Sequence, residues 1–496
     1  MSTTQDIVAK LWRLCDVLRD DGITYHEYVT ELTYLLFLKM AEETGTEARI
    51  DERYRWATLT DRTGVDLMDH YREALVFLGS SQNKRSSLVR AIYQNASTAL
   101  RRPKNLRKIV EDIDGLDWHD AKSEGLGDLY EGLLEKNAGE KKSGAGQYFT
   151  PRPLIDAMVH CVDPQAGEVI QDPAAGTAGF LVRAHQHVMA LTDDLFTLKE
   201  PEARYQVREA YWGVELVPDT QRLGLMNLML HGVEGTLYEG DALGDAGERL
   251  PPADVVLTNP PFGTKKGGGR ASRAFTHATS NKQLNFLQHV VGTLRPGGRA
   301  AVVLPDNVLF EAGVGREVRR ALLHKCRLHT VLRLPTGIFY AQGVKTNVLF
   351  FTRGETDFDN TDAVWVYDMR TNAPSFGKRT PLTRAHFADF EAAYGDDPHG
   401  LAERTDTGED GRFRRFTRKQ IARRDDNLDL SWLRDDDAVH HDDLPEPDEL
   451  AAEILALLRD AADEVEALQD LLDGDDPTLL PSGDGAALPA PQADAQ

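Results

Sequence analysis

Cysteine is scarce: the 496 residues contain three, Cys15, Cys161 and Cys326. They lie far apart, follow no metal-ligand spacing and sit mostly among apolar neighbours, so they read as packing thiols and no metal site is expected. Long hydrophobic runs are missing too, and nothing approaches the roughly 18 apolar residues of a membrane span. The start MSTTQDIVAK has neither the basic nor the apolar region of a signal peptide. A cytoplasmic protein without membrane contact is therefore expected. There is no G-x-x-x-x-G-K-[ST] loop, which excludes an NTP-driven motor on this chain. No internal repeat is visible.

What is present is an ordinary globular composition, 41% hydrophobic and 28% charged, with room for two or three domains. The formal net charge of -23 looks hostile to nucleic acid until it is located. Residues 425–496 hold 22 Asp plus Glu against Arg434 and Arg459, a net of -20, which leaves -3 for residues 1–424. The acidity belongs to the tail, and the body is free to carry basic patches.

Residues 1–140 read as a helical domain: Ile7, Leu11, Leu14 and Leu18 recur at helical spacing, then Val29, Leu32, Leu36 and Met40. The polar, glycine-rich stretch 134–147 suits a hinge. Across 141–424 the grammar becomes strand and helix in alternation, through EVIQDP, YWGVEL, DVVLTNPP, RAAVVLP, TVLRLP and NVLFF, with a helix from Asn281 to Leu294. Strands apolar throughout imply a doubly wound, mostly parallel α/β sheet covered on both faces. Residues 425–475 form an acidic connector and a helix whose Leu450, Ile454, Leu457, Ala461, Val465, Leu468 and Leu472 make one apolar stripe, to be packed on the body or on a partner's helix; residues 476–496 read as disordered.

Ligands of such sheets sit beyond the carboxyl ends of the strands. The first strand end reads QDPAAGTAGFL, with Asp172, Gly176, Thr177, Ala178 and Gly179 before a helix. Its spacing departs from G-x-G-x-x-G, yet glycines still let backbone approach a ligand. The next strand ends at Glu215, placed for ribose hydroxyls, and Asp241 follows, suited to an adenine amino group. Each acid could also be a plain turn or helix cap. Taken in order, without a phosphate-binding lysine loop, they describe a pocket for an adenosine that carries an amino acid, S-adenosylmethionine. Upstream, GQYFTPRP places Tyr148 and Phe149 as a wall over that cofactor, with Thr150 as helix N-cap and Pro151 at the first helical position.

The stretch NPPF, Asn259 to Phe262, is the reacting end. An adenine amino nitrogen is a poor nucleophile because its lone pair is delocalised into the ring. The side-chain oxygen of Asn259 and the carbonyl of Pro260 can accept its two N–H bonds and aim the lone pair at a methyl sulfonium. Pro260 and Pro261 stiffen the backbone, and Phe262 offers a face to a base turned out of the duplex. Methylation of cytosine carbon 5 would call for a cysteine nucleophile beside the pocket, usually after a proline. None of the three is so placed.

The order GQYFTP, DPAAGTAGF, GVEL, NPPFG resembles the amino-methyltransferases of the gamma arrangement. With SNKQLNFLQHVVGTLRPGGRAAVVLPDNVLF and LRLPTGIFYAQGVKTNVLFFTRG, the chain as far as NLDLSW is similar to the modification (M) subunits of type I restriction-modification systems. The resemblance implies a class I S-adenosylmethionine-dependent, Rossmann-like fold and N6-adenine methylation of double-stranded DNA. It implies a separate specificity (S) subunit, a second M subunit and a motor-nuclease (R) subunit for restriction. Gln147, Tyr148, Phe149, Thr150, Pro151 and Arg152, with Thr177 to Gly179, would meet the cofactor's methionine portion; Glu215 would hold its ribose and Asp241 its adenine; Asn259, Pro260 and Phe262 would hold the target base.

No evident module for reading base edges is left over, so sequence choice should come largely from elsewhere. The basic stretches 263–273 and 412–424 could meet phosphates, or be a solvated loop and a charged face. Two rivals stand: a glutamine methyltransferase acting on release factors, which uses the same Asn-Pro-Pro-aromatic geometry, and a non-catalytic scaffold of the same fold.

Overall fold

The structure is a computed structural model that describes residues 9–11, 13, 25–116, 118, 150–262, 274–339, 344–374, 376–377, 380–433 and the isolated residues 455, 456, 459 and 462. Ile7, Leu14, Leu18, the 134–147 hinge, Gln147, Tyr148, Phe149, the basic stretch 263–273 and the seven residues of the 450–472 stripe lie outside the described residues.

The helical part is built on α1 (Tyr25–Glu43), α2 (Gly64–Gly79), α3 (Ser87–Ile92) and α4 (Pro103–Asp114). Val29, Leu32, Leu36 and Met40 are buried as their spacing predicts, but so is nearly every residue from Tyr28 to Ala41. A helix enclosed on all sides must neutralise its polar groups internally. Lys39 does so against Glu42, Glu43 and Asp114 at 2.7, 2.9 and 3.0 Å. Glu31 accepts from the Tyr71 hydroxyl at 2.9 Å and the Ala99 N–H at 2.6 Å, and burial pushes its carboxyl up to about 7.

The second part begins with α5 (Arg152–Val162), then β1 (Ile170–Asp172), α6 (Gly179–Leu191), β2 (Tyr211–Glu215), α7 (Pro218–Leu230), β3 (Thr236–Glu239) and β4 (Ala253–Thr258). It continues through α8 (Lys282–Thr293), β5 (Leu294–Pro305), α9 (Val314–Lys325), β6 (Cys326–Arg333), β7 (Thr346–Arg353), β8 (Ala363–Asp368), β9 (Phe413–Thr417) and α10 (Arg418–Ala422). The described strands form one sheet in the order β3-β2-β1-β4-β5-β7-β6-β8-β9. β7 runs antiparallel to β5 and β6, β9 runs antiparallel to β8, and every other pairing is parallel. This is an α/β sheet, doubly wound and mostly parallel. From β1 the chain steps outward through β2 and β3, then returns to β4 on the other side. The switch point therefore lies between the ends of β1 and β4, where such sheets open a crevice.

Residues 353–424 are not surplus to the sheet, because β8 and β9 extend it. They also decide the fate of the second basic stretch. Arg412 donates to the Asp368 and Thr371 carbonyls, Arg414 covers the rings of Phe416 and Trp432, Arg418 pairs with Asp426 at 2.6 Å, and Arg424 donates to the Asp429 carbonyl. Register puts Thr417 beside Ala363, so the exposed Lys419 and Arg423 leave from the edge opposite Asn259. The reading as an ordinary charged face is the better one here. Cys161 and Cys326 are buried free thiols. No described helix is long and apolar enough to cross a membrane.

Arg222 on α7 joins the two parts. Its Nε donates to the Ile92 carbonyl at 2.7 Å and Nη2 to the Gln94 carbonyl at 2.8 Å; Nη1 pairs with Asp219 at 2.6 Å, and the guanidinium lies 5.2 Å from the Tyr34 ring centre. Arg222→Ala would strand two carbonyls in a buried seam. We expect a loss of about 2–4 kcal/mol, read as a lower urea midpoint, while Arg222→Lys recovers part of it.

Candidate active site

The carboxyl ends of β1, β2 and β4 gather the residues singled out above. Asp172 closes β1 fully buried, with Oδ1 accepting from the Ala174 N–H at 3.0 Å. Burial pushes its carboxyl up to about 7, against the lowering effect of the Thr258 hydroxyl and the Ala174 N–H, and the charge of Glu215 pushes the same way as burial. The turn after it carries Gly176 at φ 54° and Ala178 at φ 64°. Glycine takes that left-handed region freely, whereas for alanine it costs on the order of 1 kcal/mol. Strain of this sort is held in place by the surroundings. A Cβ on Gly179 would come within 3.2 Å of Ile155 Cδ1 on α5.

Glu215 closes β2, and each of its oxygens takes a backbone donor: the Val217 N–H reaches Oε1 at 2.8 Å and the Gly176 N–H reaches Oε2 at 2.9 Å. It is buried, which raises its carboxyl above the usual range despite those bonds. Each oxygen keeps a second lone pair for a ligand hydroxyl. Asp241 lies beyond β3, half-buried, its Oδ1 capping the Leu243 N–H at 2.9 Å.

Asn259 and the residues after it stand at the end of β4. Thr150 does not cap α5, as the sequence suggests: Pro151 is the N-cap and Arg152 the first helical residue. The Thr150 hydroxyl instead accepts from Asn259 Nδ2 at 2.9 Å. That bond turns the amide so that Asn259 Oδ1 is a buried acceptor with no hydrogen-bond partner among the described residues. Pro260 is buried, Pro261 and Phe262 are half-buried, and Phe262 meets the buried Phe339 edge-on, with ring centres 5.9 Å apart at 87°.

Sequence reasoning missed several supporting residues. On α7, Asn227 Nδ2 holds the Thr177 carbonyl at 2.9 Å, and a Cβ on Gly224 would come within 3.1 Å of the Gly176 carbonyl and 2.9 Å of Leu237. On α8, Gln283 Nε2 donates to the Pro261 carbonyl at 3.3 Å. A buried Asn and a mid-helix Gly inside the apolar run RLGLMNLML were the available signals.

A pH dependence follows from Asp172. Folded, it keeps its proton up to about pH 7, against an ordinary value of 3.8. Between those values the folded chain binds more protons than the unfolded one, so stability falls as pH rises through that window. Glu31 acts in the same direction. Asp172→Asn should flatten part of the slope in urea midpoints measured from pH 5 to 8; an unchanged slope would contradict the assignment.

A Rossmann-like sheet with an acid at the end of β2 and Asn-Pro-Pro-Phe at the end of β4 defines the class of methyltransferases that act on an amino or amide nitrogen. Residues 121–442 match the N-6 DNA Methylase family and residues 7–113 the HsdM N-terminal domain family. The chain belongs to the methylase (M) subunits of type I restriction-modification systems, and is an N6-adenine DNA methyltransferase. It is 52% identical to the EcoKI methylase subunit of Escherichia coli K12 and to the StySPI methylase subunit of Salmonella potsdam, over 93% of this chain and 94% of each. The crystal structure of the EcoKI M protein covers 97% of this chain and all of that one, at 47% identity and a TM-score of 0.56. A structure concerned with complex assembly and conformational transition of a type I system covers 96% of this chain at 28% identity, with a TM-score of 0.67. Neither a release-factor methyltransferase nor a non-catalytic scaffold finds support among these relatives.

Proposed function

We propose that this subunit moves the methyl group of S-adenosylmethionine to N6 of an adenine turned out of double-stranded DNA, at sites chosen by a separate specificity subunit. The observation that carries this reading is the Asn259 amide. Thr150 holds its nitrogen, its oxygen is buried without a partner among the described residues, and it stands at the switch point of the sheet. An acceptor buried without a partner is costly, and an amino N–H of the target base satisfies it.

The turn at the end of β1 fits the cofactor. Chain neighbours aside, no atom of the described residues comes within 4 Å of where a Cβ on Gly176 would stand, Glu215 has spare lone pairs for the ribose, and Asp241 would face the adenine end. Thr150, Pro151, Arg152, Thr177, Ala178 and Gly179, together with Gln147, Tyr148 and Phe149, would surround the methionine portion, with Asp172 bracing the turn. When bound, the cofactor supplies an electrophilic methyl group. Asn259 Oδ1 and the Pro260 carbonyl orient the amino nitrogen toward it, and Pro261 and Phe262 set the plane of the base. The N6 proton becomes acidic as the nitrogen gains the methyl, so no base of unusual strength is required.

The complex would contain the specificity subunit, a second M subunit and, for restriction, a motor-nuclease subunit. The 450–472 stripe is our candidate for docking on the specificity subunit. We also propose the division 1–140, 141–424, 425–475 and 476–496 for the chain, and a cytoplasmic location. The test is to incubate the purified chain with labelled cofactor, with and without co-expressed specificity subunit, offering DNA and release factor. Label in adenine that depends on the partner is expected. Label in protein, or none anywhere, would overturn the reading.

A further inference from the structure

We propose that Gln283 is a positioning residue for methyl transfer, acting through ψ of Pro261, a backbone torsion that the Asn-Pro-Pro-Phe sequence itself leaves free. The inference rests on the roles given above to Asn259, Pro260 and Phe262. A proline ring fixes φ, which takes care of Pro260 and Pro261. A residue that precedes proline is confined in ψ, which takes care of Asn259 and Pro260. The direction of the Pro260 carbonyl follows from these constraints alone. Beyond the Pro260 carbonyl the first unconstrained torsion is ψ of Pro261, and together with φ of Phe262 it decides where the Phe262 ring stands relative to the Asn259 amide.

Gln283 removes that freedom. Its Nε2 donates to the Pro261 carbonyl at 3.3 Å, and the side chain is buried. The donor is itself anchored, because Gln283 lies in the first turn of α8, where Asn281 Oδ1 caps the N–H groups of Gln283 and Leu284 at 3.0 and 3.2 Å. Asn281 is in turn tied by Nδ2 to Glu311 at 2.8 Å. On the far side, Phe339 meets the Phe262 ring edge-on. Phe262 is thus fixed from the backbone by one element and from the ring by another. A change at Gln283 moves the aromatic platform and leaves the cofactor turn, held by α7, where it was.

The test is Gln283→Met, which keeps side-chain length and removes the donor, assayed in the complex with its specificity subunit. We expect kcat to fall about 10-fold or more, in line with the cost of small misplacements at a reacting centre. The dissociation constant of S-adenosylmethionine should stay within about 2-fold. With 2-aminopurine at the target position, fluorescence on binding should exceed that of the wild type, because stacking on Phe262 is impaired. Gln283→Glu, which sets an acceptor against the Pro261 carbonyl, should be at least as slow. Wild-type kcat and fluorescence in Gln283→Met would overturn the inference. Asn259→Ala is run in parallel: if that variant remains active, the underlying reading of the site fails, whereas activity in Gln283→Met alone defeats only this step. Should Gln283→Met fail to fold, a structure of the wild-type complex with DNA decides. The Gln283–Pro261 bond retained beside a stacked base supports the proposal, and its absence overturns it.

Discussion

Asn259→Ala will lower methyl transfer at saturating cofactor and DNA by about 10³-fold, the scale seen when a preorganised polar contact to the reacting group is removed. It will leave the affinity for S-adenosylmethionine nearly unchanged. Asn259 sits at the end of β4 and spends its nitrogen on Thr150, whereas the cofactor turn is braced by Glu215 and Asn227 from other elements. The alanine variant removes one of two acceptors for the target amino group, and the nitrogen lone pair then returns to conjugation with the purine ring. The fold should tolerate the change, because it loses one bond, to the half-buried Thr150 hydroxyl, and an acceptor that has no partner among the described residues. Burst kinetics with labelled cofactor, alongside calorimetric titration of the cofactor, checks both halves. A collapse of cofactor binding would show that the role given to Asn259 is wrong.

Glu215→Ala should do the reverse. Its two oxygens hold the N–H groups of Gly176 and Val217, so the substitution leaves two donors at the mouth of a strained turn without their acceptor, at about 1–3 kcal/mol each. It also removes the acceptor proposed for the ribose hydroxyls. Cofactor affinity is expected to fall about 100-fold or more, with transfer recovering as cofactor concentration is raised. Glu215→Gln keeps one acceptor oxygen and should lie between the two. The contrast with Asn259→Ala is the diagnostic: one variant is rescued by cofactor, the other is not. If both lost the same parameter, the two strand ends would not have separate roles.

The residues legible in advance share a trait, which is that each follows an apolar strand and is not itself apolar. That grammar picked out Asp172, Glu215 and Asn259 because a buried parallel strand leaves few ways to read what comes next. It failed for β3, β8 and β9. TLYE is short and partly exposed, AVWVYD had no recognised ligand after it, and FRRFT reads as a basic stretch because an edge strand can afford exposed arginines. α1 shows a single apolar stripe at helical spacing but is enclosed almost entirely, since it packs against α7 as well as its own neighbours. The second layer of the site was scarcely legible, its one signal being Gly224 and Asn227 inside an apolar run. Thr150 answers to Asn259 across 109 residues, and Gln283 and Asn227 look like ordinary helix positions until the sheet brings α8 and α7 beside the strand ends. Local rules name what a side chain can do, while the partner that uses it is set by topology.

Whether Asn259 Oδ1 and the Pro260 carbonyl hold the amino group of a flipped adenine is decided by a structure of this subunit with its specificity subunit, a non-transferring cofactor analogue and DNA containing the target site. Both oxygens are expected within about 3.2 Å of the adenine N6, with the base against Phe262. An adenine still stacked in the duplex, or turned out but with N6 beyond reach of Asn259, would contradict it.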